Sequence, residues 1–140
     1  MKYIFLVAVV LLSGCVGPPD YADGLIENKP AIVNDTDYFS LSLLGDKYDA
    51  SDDWNLLMDL TEDDRILVTT VVKDVVASSP DSTYLYMIND QSDTVFTAGI
   101  FSDLISGNEI DVIELGLPKK VVLICNSFTG RIEFQLIKIQ

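Results

Sequence analysis

The chain has 140 residues, 22 of them acidic against 9 basic, for a formal net charge of -13. That is room for one domain rather than two, and so few scattered bases exclude a nucleic-acid surface, which needs clustered Lys and Arg. No histidine is present, which excludes Ser-His-Asp and Cys-His catalysis and histidine-held zinc, copper or haem, while 49% hydrophobic residues suffice for a core.

The first element is an unbroken apolar run, Tyr3 to Leu12, behind Lys2. Ten helical residues rise about 15 Å, half of a bilayer core of about 30 Å, so the run suits the hydrophobic part of a signal peptide and not a membrane span. It ends in Leu12-Ser13-Gly14-Cys15, which resembles the lipobox of bacterial lipoproteins, L-[AS]-[GA]-C. The resemblance covers residues 1–15. It implies cleavage after residue 14 and a diacylglyceryl thioether on Cys15, commonly with an added N-acyl chain such as palmitate. Such a cysteine holds the protein stably on a membrane, because two or three acyl chains anchor where one does not. Val16 follows, where an Asp would favour inner-membrane retention in enteric-like bacteria, so the resemblance points to the outer membrane of the cell envelope. The small, acidic, strand-rich character is similar to lipoproteins of Bacteroidota.

Loss of residues 1–14 removes Lys2 and no acid, so the net charge moves by one, from -13 to -14. Anionic headgroups repel such a domain. With Cys15 acylated, Cys125 is the one free thiol and no intrachain disulfide can form. Residues 16–30 hold three of the five prolines and read as a tether from Cys15, unless Leu25 and Ile26 dock on the domain. Fully extended, fifteen residues reach about 50 Å.

From Ala31 to the C-terminus, short apolar runs alternate with polar turns. Phe39, Leu41 and Leu43 alternate with serines, as in a half-buried strand. Asp52 to Leu60 fits a short helix capped by Ser51 or Asp52 and also a strand with Trp54, Leu56, Met58 and Leu60 on one face; the surrounding β pattern favours the strand. Ile66 to Lys73 is apolar on both faces, as in a covered strand. Ser78-Ser79-Pro80 marks a loop. Thr83 to Ile88 is a strand with Leu85 and Met87 on one face and Tyr84 and Tyr86 on the other. Thr94 to Phe101 alternates again, Ser102 to Ser106 reads as one helical turn, and Ile110 to Leu115 as a strand turned by Gly116-Leu117-Pro118. Val121 to Cys125 is a sheet interior. Asn126 to Gly130 reads as a hairpin connection, and Ile132, Phe134 and Leu136 as its return strand. The apolar phase slips at Ile137, which predicts a β-bulge.

About seven short strands predict an all-β domain, a single β-sandwich of immunoglobulin-like size over residues 31–140, without the Cys…Trp…Cys core signature. Four carboxylates close together, Asp46, Asp49, Asp52 and Asp53, are oxygen ligands of the kind Ca²⁺ takes. They lack the EF-hand's glycine and final glutamate, so the expectation is a solvated acidic loop with no cofactor. Glu62-Asp63-Asp64 beside Arg65 reads as a turn with a local ion pair. Cys125, in an apolar run with no basic neighbour, reads as a small buried hydrophobe. Tyr84, Tyr86 and Phe128 are candidates for a surface that contacts protein or sugar; the competing expectation is that the tyrosine face packs on the second sheet. With no nucleophile–base pair in evidence, the expected role is a non-enzymatic structural or interaction one. The alternatives are a surface module binding protein or glycan, calcium-dependent in one form, and a small carboxylate-based hydrolase, favoured by a cleft with two facing acids.

Overall fold

A computed structural model describes residues 24–76 and 83–139. The apolar run, Cys15, the first part of the tether and the Ser78-Ser79-Pro80 loop lie outside the described residues. Seven strands follow one another: β1 (Ala31–Asn34), β2 (Tyr38–Asn55), β3 (Arg65–Lys73), β4 (Tyr84–Asn89), β5 (Thr94–Gly99), β6 (Leu104–Asp111) and β7 (Pro118–Ile139), with one helical turn, α1 (Val112–Leu115), before the last. The fold is all-β. Its strands form one sheet in the order β1-β2-β7-β3-β6, with β4 bridging β7 and β5, and all these pairings are antiparallel.

Two strands are far longer than their neighbours, 18 residues for β2 and 22 for β7, and each belongs to both halves of the sheet. The first half of β2 pairs with the last half of β7 (Phe39 with Leu136, Leu43 with Ile132), beside β3. The second half of β2 pairs with the first half of β7 (Asp52 with Leu123), beside β4. The two halves fold over one another as the layers of a sandwich, and Phe96 of β5 meets Phe134 of β7 across the interior, ring centroids 5.7 Å apart.

The corner between the halves is built from small residues. Gly45 and Gly130 are partners across β2 and β7, and the register shifts twice between Gly45 and Ala50. Gly130 has φ of 147°, a region left to glycine. The Phe128 ring lies over both: a Cβ on Gly45 would come within 2.7 Å of Phe128 Cδ1, and one on Gly130 within 3.1 Å of Phe128 Cζ. Asn126 to Gly130 is therefore no hairpin. The residue types that let a chain turn also let a strand bend while its ladder continues.

Three other expectations are corrected. Ser102 to Ser106 is not a helical turn, since β6 begins at Leu104 and pairs along β3. Ile110 to Leu115 is not a continuous strand, because Val112–Leu115 is helical; the turn buries Val112 completely. No bulge marks Ile137: the ladder of β7 with β3 runs through it unbroken and the ladder with β2 ends on it, paired with Tyr38, and Ile137 and Ile139 fall on the outer face at the strand's end. The β2 strand itself stops at Asn55, and Leu56 to Leu60 continue without a ladder, with Met58 buried.

Period-two alternation supplies the core: Phe39, Leu41 and Leu43 from β2, Ile66, Val68 and Val72 from β3, Leu85 and Met87 from β4, and Ile132, Phe134 and Leu136 from β7. Each such side chain contributes about 1.5–3 kcal/mol on leaving water. Thr70 interrupts this set. It is buried opposite Phe134, and its hydroxyl has no hydrogen-bond partner among the described residues. Valine has the same shape without the unmet polar group, so Thr70→Val is expected to raise stability by about 1 kcal/mol, or a few degrees in thermal midpoint. A thermal melt checks it, and a lower midpoint would mean that the Thr70 hydroxyl is not an unmet polar group.

Candidate functional site

The four candidate metal ligands do not form a loop. Asp49, Asp52 and Asp53 lie in the second half of β2, where the pleat sends neighbours to opposite faces. Asp46 lies in the corner, directly after Gly45, and its backbone exchanges two hydrogen bonds with the Asn28 side-chain amide, at 2.8 and 2.9 Å. Asn28 N also donates to Leu44 O at 2.7 Å, so the end of the expected tether is docked along β2. Asp49 accepts a 2.6 Å bond from the Ser127 amide, which holds the corner of β7. Asp52 turns to the inner side opposite Leu123 and accepts from the Tyr48 hydroxyl at 2.8 Å. Asp53 points outward and pairs with Lys120 at 3.3 Å. Among the described residues, no group of three or more His, Cys, Asp or Glu stands where it could hold a metal.

The second acidic cluster is a turn, but its ion pairs are not local. Asp64 accepts from the backbone and hydroxyl of Thr61 and pairs with Lys138 at 2.9 Å, which holds its carboxyl below the usual range. Arg65 instead pairs with Glu109 and Asp111 of β6.

Cys125 is a buried free thiol on the core side of β7, opposite Ala50. Burial first, then the negative charges of Asp52 and Asp49, push it up to about 12. Tyr48 is likewise raised to about 12, by burial and then by its bond to Asp52. Both groups stay protonated at neutral pH.

An open hollow of about 400 Å³ lies at one end of the sandwich, lined by Glu62, Asp90, Asp93, Val112 and Glu114 among others. Its buried polar side chain, Asn89, is taken up by the turn: it donates to Leu115 O and accepts from the Gln91 and Asp93 amides.

The tyrosines give a different picture. Leu85 and Met87 face the core, so Tyr84 and Tyr86 face outward; the expectation that they pack on the second sheet does not hold. Partners in the ladder share a face, which places Ile124 beside Tyr84, and Val122 beside Tyr86. Phe101, 46% exposed, folds back over Gly99 and meets Tyr84 edge-on, ring centroids 6.1 Å apart. The result is one apolar, aromatic strip along the outer face of the β2–β7–β4–β5 layer. Phe128, grouped with the tyrosines by residue type, is buried at the corner. Alternation reads Phe101 only as the end of a strand, which in fact stops at Gly99, and does not group it with the tyrosines.

No family model matches the chain. No curated protein matches it either. Solved structures that match include a chain of Bacillus endospore appendages, described as a novel family of disulfide-linked pili, with a TM-score of 0.41 and 9% identity over 80% of this chain and 92% of that one. A chain of a glycosylation-associated protein complex from Streptococcus agalactiae matches with a TM-score of 0.37 and 9% identity, over 79% of this chain and 39% of that one. At these values the likeness says nothing of what the chain does.

Proposed function

We propose that the protein is a lipid-anchored lipoprotein of the bacterial cell envelope, non-enzymatic, which holds its β-sandwich off an outer membrane on a short tether. The observation that carries this is Leu12-Ser13-Gly14-Cys15 at the end of a ten-residue apolar run behind Lys2. The first residues described, Gly24 to Asn28, are largely exposed, and a chain anchored at Cys15 enters the domain there. Cys15→Ser is expected to leave the precursor uncleaved and to abolish labelling by radioactive palmitate. Unchanged labelling and membrane recovery of that variant would refute the proposal.

A second reading concerns what the anchored domain does. The outward strip of Tyr84, Tyr86 and Phe101 favours a surface binding module over a purely structural part. Tyrosines offer large contact areas with few rotatable bonds to freeze, and each keeps a polar tip for a partner's hydrogen bonds.

A further inference from the structure

We propose that the outer face of the β2–β7–β4–β5 layer takes a cationic peptide segment of a partner protein. Its Lys or Arg stems would lie on Tyr84, Tyr86 and Phe101, and its charged heads would reach the acidic margin of β2. The inference rests on reading the domain as a binding module, and it adds the chemistry of the partner. The ladder sets two rows across this face: Gly99, Tyr84, Ile124 and Ser51, then Thr97, Tyr86, Val122 and Asp53. Apolar contact is thus bordered along one side by β2, whose outward positions include Asp49 and Asp53. The base on this face, Lys120, already faces Asp53 at 3.3 Å. Behind the face stands a chain of net charge -13.

Charge separates the occupants such a face could take. A second copy would set the same acidic margin against itself, and an anionic headgroup surface is repelled. A neutral glycan would gain from the rings and nothing from the field. An Arg or Lys side chain gains from both, because its aliphatic stem covers apolar surface while its head stacks on an aromatic face or pairs with a carboxylate. The long-range field also speeds encounter with a basic partner.

The test uses the full chain in detergent and three probes followed by fluorescence anisotropy or its competition: an alternating Arg-Val octapeptide, the matching Glu-Val octapeptide, and cellohexaose as a neutral glycan. The Arg-Val peptide is expected to bind, and the Glu-Val peptide to show no binding. Replacing both rings with a residue that suits strands (Tyr84→Thr with Tyr86→Thr) should weaken Arg-Val binding by about tenfold or more. Asp53→Lys, an exposed change that leaves the core intact, should weaken it at least as much. Glu114→Gln, which removes a charge away from this face, should change it by less than about twofold. Binding that survives the tyrosine replacements, or that falls equally with Glu114→Gln, overturns the proposal as mere attraction to an acidic chain. Cellohexaose binding lost in the tyrosine variant, without Arg-Val binding, overturns the cationic partner and leaves the binding-module reading standing. Failure of every probe overturns the cationic partner and counts against the module as well.

Discussion

Phe128→Ala is expected to cost the domain about 3–5 kcal/mol, a large share of the total stability of a chain this size. The ring is 2% exposed and fills the corner where β2 and β7 pass from one layer to the other. Gly130→Ala should cost about 1–3 kcal/mol for a different reason. Its φ of 147° is closed to a side chain, and the new Cβ would stand 3.1 Å from the Lys73 carbonyl, which cannot swing aside as a side chain can. Gly45→Ala isolates the part that belongs to the ring. Its Cβ would meet Phe128 Cδ1 at 2.7 Å, with the Phe128 carbonyl next at 3.0 Å. In a Phe128→Ala background the nearer clash is gone, so Gly45→Ala should cost less there than in the parent chain. Urea melts of the two single variants and the double variant measure that coupling. Strictly additive costs would mean that the corner is not closed by this ring.

That corner shows where reading the sequence stops. Alternation identified the inward residues at the start of β2 and the end of β7 correctly, because a half-buried strand must place apolar groups at every second position. It could not tell a hairpin from a bend at Asn126 to Gly130. Both need residues that accept positive φ, as Ser127 and Gly130 do, and only the cross-strand meeting of Gly130 with Gly45 decides between them. The acidic stretch before Trp54 was hidden for another reason. Aspartate is a poor strand former by propensity, yet here it lies against the apolar run Val121 to Cys125, and the ladder with that run overrides local preference. For the tyrosines, period two shows that they share a face with each other and oppose Leu85 and Met87. Which face turns inward depends on the opposite layer, and the sequence does not specify what stands there.

Native Cys125 is expected to react with a maleimide or disulfide reagent about a thousandfold more slowly than the denatured chain at pH 8. With the thiol raised to about 12, the native thiolate fraction at that pH is about one part in ten thousand, against about a quarter for an ordinary thiol near 8.5. The 5% exposure of the residue slows the reagent further. The same shift sets the sign of an effect on stability. A group whose folded value lies above its unfolded one contributes stability that is fully present below the unfolded value and is lost as pH climbs towards the folded one. For Cys125 that window opens near pH 8.5 and runs to about 12, and Tyr48, raised in the same direction from 10.0, adds to the loss from about pH 10 upward. Melts of the parent chain and of Cys125→Ala between pH 7 and pH 10.5 separate the two contributions. The variant starts lower, having lost a buried sulfur, but it should fall less steeply above pH 9, so the gap between the two should narrow. Rapid labelling of the native thiol at neutral pH, or a gap that stays constant across that range, would show that Cys125 is not sealed in the core beside Asp52 and Asp49.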